Sequence, residues 1–223
     1  MTLSYDLYWS FRSPYSYFVT GRLVELEREL DVACNVRVVY PLAVRQPEFF
    51  DSNDPLWQVY FMRDVFRTAE FLGIPFGWAR PDPVQRNMET GKYPREQPYI
   101  HRLSRLGAAA VEAGRGLAFL DEVSKTIWGG TTPDWHLGDH LAKAAGRAGL
   151  DLARLDAAAA AEPERLDAIM EDNQKAQREA GHYGVPLMAL NGEPFFGQDR
   201  FDQLKWRLLK AGAKPRQAHQ AEP

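Results

Sequence analysis

Cysteine is almost missing from this chain: Cys34 stands alone among 223 residues. One thiol cannot close an intramolecular disulfide, complete a cysteine-built zinc site or run a two-cysteine redox cycle. Long apolar runs are missing too. No stretch approaches the roughly 18 consecutive apolar residues of a membrane span, and Met1 to Tyr8 has neither the basic start nor the long apolar core of a secretory signal. The expected location is therefore the cytoplasm. An excess of positive charge is absent as well. With 27 Lys and Arg against 30 Asp and Glu, the formal net charge of -3 offers no sequence-independent attraction to nucleic acid or to an anionic membrane. The expected partner is a small molecule, with no nucleic acid and no membrane.

What is present is core-forming material. Hydrophobic residues make up 45% of the chain, enough to bury a proper core in one domain or one domain with an insertion. Leu3 to Trp9 reads as a buried strand that runs into the turn-like Ser10-Phe11-Arg12-Ser13-Pro14. Ser13 fits an N-cap and Pro14 the first helical position, after which Tyr17, Phe18, Leu23, Leu26 and Leu30 recur at helical spacing. Val36 to Tyr40 supplies a second strand. Strand, crossover helix and strand imply a parallel pair of right-handed connection.

The middle of the chain changes character. From about Leu56 to Ala180 the apolar spacing is helical, with helices expected over 101–113, 116–128, 137–148 and 163–180 and an irregular stretch from Pro81 to about Pro98. The run Ala157 to Ala161 reads as a short helix or turn. Strand pattern returns at Val185 to Leu190, turns at Asn191-Gly192 and resumes at Pro194-Phe195-Phe196. A closing amphipathic helix is expected from Asp199 to about Ala211, followed by a polar tail expected to be disordered.

The chemistry concentrates at two junctions. A strand that ends in a small polar residue before a helix-initiating proline presents unsatisfied backbone N–H groups to an anion. Thioredoxin-fold redox proteins carry Cys-Pro-x-Cys in that context, and this chain carries Ser13-Pro14-Tyr15-Ser16. The second junction, Gly184-Val185-Pro186 before a strand, resembles the cis-proline loop that faces the motif in those folds. Its expected purpose is to offer the Val185 backbone to a bound peptide.

Together with Asp51-Ser52-Asn53, the Tyr60 to Arg67 helix, Gly73-Ile74-Pro75-Phe76, Asn191-Gly192 and Phe196 to Arg200, these pieces resemble the 2-hydroxychromene-2-carboxylate isomerases and the kappa-class glutathione transferases of the larger DsbA-like family. The resemblance covers nearly the whole chain. It implies an α/β, thioredoxin-like fold with a large all-helical insertion: residues 1–54 and 181–213 as the thioredoxin-like domain, 55–180 as the insertion and 214–223 as a polar tail. It implies glutathione as cofactor, a small aromatic 2-oxo acid or its hemiketal as substrate, and a homodimer. Ser13 would donate a hydrogen bond to the glutathione sulfur and Asn53 would hold the tripeptide. The main chain of Val185, beside Pro186, would pair with the cysteinyl backbone, and Gln198 and Asp199 would take the γ-glutamyl end. The activity implied is cis–trans isomerisation, or conjugation if the adduct is released. A DsbA-type disulfide oxidoreductase and a non-catalytic binding module are the other classes.

One departure stands out: relatives carry a lysine where this chain has Trp57, leaving Arg45 or Arg63 to meet a glutathione carboxylate. Phe11, Tyr15, Trp78 and Trp128 are the aromatic candidates for substrate walls. Each site residue also has an ordinary reading. Ser13 and Asp199 fit helix caps, Asn53 and Pro186 fit turns, and Cys34, placed just before a strand, fits a small buried hydrophobe. His136 and His140 lie one helical turn apart without a metalloprotease glutamate, so no metal is expected. His182 sits near the proline loop, at a position where a histidine also suits a helix C-terminus.

Overall fold

The computed structural model describes residues 2–50 and 54–216. Among those residues, four strands form one mixed sheet in the order β2-β1-β3-β4. Strand β1 (Leu3–Trp9) leads into α1 (Pro14–Glu29), which crosses over to β2 (Val32–Val38). The two strands are parallel from Leu3↔Val32 to Trp9↔Val38, so β2 begins four residues before the apolar pattern suggested. Cys34 therefore lies inside the strand. Its N–H donates to the Glu27 carboxylate at 2.6 Å, and burial pushes its thiol far up, keeping the sulfur protonated.

A short helical turn, α2 (Leu42–Arg45), and a 3-10 turn at Pro47–Phe50 lead towards the helical middle of the chain. That middle comprises α3 (Pro55–Leu72), α4 (Ile100–Glu112), α5 (Gly116–Trp128), α6 (His140–Arg147), α7 (Leu152–Ala161) and α8 (Pro163–Glu179). Local chemistry sets the ends. Asp54 accepts from Leu56 N–H at 2.8 Å with Pro55 in the first turn of α3, and Gly73 closes that helix at φ 65°. Asp151 accepts from Arg154 N–H at 3.0 Å and turns the alanine-rich run into a full helix, α7.

The chain then returns through β3 (Leu187–Leu190) and β4 (Glu193–Phe196), antiparallel to each other, with β3 antiparallel to β1 in the Leu7↔Met188 register. Asn191 and Gly192 take φ 51° and 81°, as a tight hairpin turn of this hand requires. A 3-10 turn at Gln198–Arg200 precedes α9 (Phe201–Lys210). Asp199 thus falls in the turn and does not cap the helix; the residue before α9 is Arg200.

Helix α1 packs against the sheet and α5, burying Phe18, Leu23 and Leu26. Full burial of such side chains contributes about 1.5–3 kcal/mol each. Phe11 and Trp128, candidate substrate walls in the sequence, are core residues instead. Phe11 lies edge-on to Trp9 at 4.7 Å, and Trp128 donates its indole N–H to the Phe11 carbonyl at 3.0 Å. The start of the expected polar tail is docked: Lys214 C=O accepts from Asp31 N–H and Arg216 N–H donates to Glu29 C=O, both at 2.8 Å. The rest of that tail lies outside the described residues. No described helix is long and apolar enough to cross a membrane.

Candidate active site

Ser13 ends the β1-to-α1 turn in extended backbone, φ -104° and ψ 111°, with its hydroxyl oxygen accepting from Ser16 N–H at 3.1 Å. Pro14 follows at the first helical position, where its missing N–H costs nothing. Tyr15 N–H is left without a partner among the described residues and points the positive end of α1 at this corner. Trp9 anchors the junction from below by donating its indole N–H to Ser16 C=O at 3.1 Å and to the Thr20 hydroxyl at 2.9 Å. Ser16 is fully buried and its own hydroxyl has no partner among the described residues.

The peptide bond between Val185 and Pro186 is cis. Val185 C=O accepts from the Ser13 hydroxyl at 3.4 Å, at the long limit of a hydrogen bond, while Val185 N–H is unpaired among the described residues. Neighbouring groups fix this loop tightly. Gln177, fully buried on α8, donates to Gly184 C=O at 2.7 Å and accepts from Arg45 at 3.2 Å. Arg45 also donates to Tyr183 C=O at 2.5 Å, and burial together with nearby Arg178 lowers its pKa to about 10. Gly184 N–H donates to His182 Nδ1 at 2.9 Å, and Gly197 N–H to Pro186 C=O at 2.9 Å. A side chain at Gly184 would press within 2.5 Å of the Phe196 ring.

These two corners open on a cleft of about 560 Å³ walled by Tyr15, Phe50, Trp57, Phe61, Trp78 and Tyr93. Trp57 and Phe61 stack face to face, centroids 5.2 Å apart and planes 5° apart, so Trp57 builds an aromatic wall. The Tyr15 hydroxyl donates to Asp64 at 2.5 Å, and burial together with that carboxylate pushes the phenol far up. Among the described residues the cations lining the cleft are Arg12 and Arg86. Arg12 is paired with Asp82 at 2.9 Å and donates to the Tyr93 hydroxyl at 3.2 Å. Burial opposes its charge, but Asp82 outweighs burial and raises its pKa. A larger depression of about 750 Å³ runs along β2 beside Cys34, Arg37 and Glu112, and it contains none of the motif residues.

The fold thus brings together Ser13, Val185 and Pro186. Gln198 and Asp199 lie outside the cleft lining. The Gln198 side chain and carbonyl both accept from Arg22, at 3.3 and 3.1 Å, and Asp199 pairs with Arg200 at 2.7 Å. Asn53 lies outside the described residues. Arg45 is committed to the loop and Arg63 does not line the cleft. His136 packs against Tyr99 at 4.7 Å, away from the cleft. Sequence reasoning passed over Phe50, Phe61, Tyr93, Arg86 and Gln177. The Asp82 that engages Arg12 sits in a proline-rich stretch without periodicity, so no pattern marked that segment as a cleft wall.

A family model described as a DSBA-like thioredoxin domain matches residues 5–209. Among curated proteins, none matches the sequence significantly. Among solved structures, a 2-hydroxychromene-2-carboxylate isomerase superposes with a TM-score of 0.66 at 23% identity, covering 94% of this chain and 96% of that one. A probable DsbA oxidoreductase from Streptomyces coelicolor gives 0.64 at 18% identity, covering 99% and 95%. The cytosolic disulfide reductase DsbM from Pseudomonas aeruginosa, in its structure with GSH, gives 0.57 at 16% identity, covering 94% and 98%.

Proposed function

The chain belongs to the DSBA-like thioredoxin domain family, and on that premise we propose that it is a glutathione-dependent cis–trans isomerase of the 2-hydroxychromene-2-carboxylate type, working in the cytoplasm. The observation that carries this reading is the Ser13 hydroxyl at the positive end of α1, 3.4 Å from the Val185 carbonyl beside cis-Pro186. The thioredoxin-type corner is intact, but its two sulfur positions are Ser13 and Ser16, and Cys34 is half-buried in β2 with its thiol held protonated. A thiol in this corner has to arrive with a ligand. The likeness to DsbM with GSH supports the choice of glutathione.

The residues present fit the cysteinyl part of glutathione. Val185 N–H, unpaired among the described residues, can pair with an extended peptide, and the loosely engaged Ser13 hydroxyl hydrogen can turn from the Val185 carbonyl to a sulfur. Bound there, glutathione would supply a thiolate that adds reversibly to a conjugated double bond and frees rotation about it. The chain's own part is to hold that charge. Lowering a thiol pKa from ~8.5 to near 7 takes about 2 kcal/mol. The α1 terminus offers up to about 2 kcal/mol and a charge-assisted hydrogen bond from Ser13 about 1.5–3 kcal/mol. Ser13 need not become a nucleophile. Tyr15, Trp57, Phe61 and Trp78 offer flat apolar faces to an aromatic substrate, and Arg86 a cation for its carboxylate.

The experiment is a glutathione-dependent isomerisation assay on a 2-hydroxychromene-2-carboxylate, with Ser13→Ala as the control. Turnover that requires glutathione and is lost in Ser13→Ala bears the reading out. A stable glutathione conjugate as product would reassign the same site to a kappa-like transferase. Failure to bind glutathione would overturn both.

A further inference from the structure

We infer that His182 is a positioning residue: as a neutral imidazole it holds the Gly184–Val185 backbone in the conformation that reads the ligand, and it releases that backbone when protonated. The geometry is specific. Gly184 N–H donates to His182 Nδ1 at 2.9 Å, which places the ring proton on Nε2. The ring itself is clamped, stacked on Phe196 of β4 with centroids 3.7 Å apart and on Tyr183 at 4.8 Å. Gly184 is the neighbour of Val185, whose carbonyl meets Ser13, so the imidazole sits one peptide unit from the thiolate corner. Its acceptor nitrogen is the only side-chain acceptor that Gly184 N–H has among the described residues.

Protonation turns Nδ1 into a donor that faces another donor. The turn places Tyr183 and β4 places Phe196 against the ring, while Arg45 of α2 and Gln177 of α8 hold the adjoining Tyr183 and Gly184 carbonyls. Among the described residues no carboxylate is hydrogen-bonded to the imidazole to favour its charged form. Burial lowers the His182 pKa from its ordinary 6.5. At neutral pH the imidazole is uncharged and the loop is held. As the pH falls, the hydrogen bond on Gly184 becomes a repulsion and the Val185 backbone loses its support.

The first arm of the test needs no ligand. In nitrogen-15 NMR spectra of the wild type, the His182 ring is expected as the Nε2–H tautomer at neutral pH. The Gly184 amide is expected to shift and to exchange faster with the same midpoint as the His182 titration. His182→Asn, whose carbonyl oxygen can accept from Gly184 without titrating, should keep the neutral-pH protection and lose the pH dependence. His182→Phe keeps the stack but has no acceptor, and should expose Gly184 to about tenfold faster exchange at every pH, the worth of one hydrogen bond. An Nδ1–H tautomer, or a Gly184 amide that ignores the His182 titration, would overturn the inference.

The second arm rests on the glutathione reading. S-methylglutathione, which has no thiol to titrate, should bind the wild type about tenfold more weakly at about pH 5 than at about pH 7.5, and should bind His182→Asn with no such slope. A slope that persists in His182→Asn would contradict a role for His182 in binding. Should the ligand fail to bind at all, the glutathione reading falls and the Gly184 amide still decides the loop.

Discussion

Ser13 and Val185 are 172 residues apart in the chain, yet the Ser13 hydroxyl donates to the Val185 carbonyl at 3.4 Å. One residue comes from the β1–α1 turn and the other from the loop before β3, and the pairing of β1 with β3 sets them side by side. The same hydroxyl accepts from Ser16 N–H, so Ser13 has a structural task as a helix cap and a second task as a donor at the cleft. The two tasks predict separable outcomes.

Ser13→Ala is expected to lower stability by about 1 kcal/mol, the usual worth of an N-cap, and to do so whether or not a ligand is present. Urea unfolding of the two proteins checks this. Ser13→Gly should recover most of the lost stability, since glycine is tolerated at the cap, but should not recover turnover.

Ser16 stands three residues after Ser13 in the first turn of α1, and the account gives it no part in the chemistry. Its buried hydroxyl has no partner among the described residues. Ser16→Ala should therefore leave activity unchanged and leave stability unchanged or raised, by up to about 1 kcal/mol, because an unsatisfied buried hydroxyl is removed. Thermal unfolding and the isomerisation assay, run on the same sample, measure both.

Gln177→Leu removes the side chain that joins Arg45 to Gly184, leaves the Gly184 carbonyl without its donor and leaves the half-buried Arg45 guanidinium with the Tyr183 carbonyl alone. A loss of about 2–3 kcal/mol is expected, far more than the leucine's apolar burial returns. Urea unfolding gives the stability. Faster amide exchange over residues 182–185 should accompany it.

Acid should destabilise the fold in two windows. For Asp167, burial alone would raise the pKa, but Arg105 and Tyr40 outweigh it and hold the carboxylate below its ordinary value. Asp64 follows the same logic, with Tyr15 and Arg67 as donors. A depressed folded-state pKa gives stability that is full above the unfolded value of ~3.9 and lost as pH falls through the folded value. His182, also depressed, gives stability that is full above its unfolded value of 6.5 and declines below it. Unfolding free energy measured against pH should fall gently from about pH 6.5 and steeply below about pH 4. In His182→Asn the first decline should vanish.

The sequence revealed the parts of the fold that local chemistry determines. Ser13 and Pro14 announce the start of α1, Asn191-Gly192 the β3–β4 turn, and Gly116 to Trp128 matches α5 end to end. Strand β2 starts earlier than its dense apolar run from Val36: Val32 and Cys34 continue the alternation, but Ala33 and Asn35 are weak strand formers, and pairing with Ser4 and Asp6 of β1 extends the strand through them. Asp199 looked like the cap of the last helix, but the 3-10 turn after Gly197 moves the helix start past it. Of the site, the Ser13 and Val185-Pro186 corner was legible because each half carries its own turn chemistry. The cleft walls were not. Phe11 and Trp128 face the core while Phe50, Phe61 and Tyr93 face the cleft, and nothing in the local pattern of an aromatic residue tells the two apart.

The central claim is that Ser13 and the α1 terminus stabilise a thiolate that the ligand brings. Ultraviolet titration of bound glutathione, following thiolate absorbance against pH in the wild type and in Ser13→Ala, tests it most directly. The account predicts a bound thiol pKa about 1.5 units below the free value in the wild type, with most of that shift lost in Ser13→Ala. Equal thiol pKa values in the two proteins, or no binding of glutathione by the wild type, would contradict it.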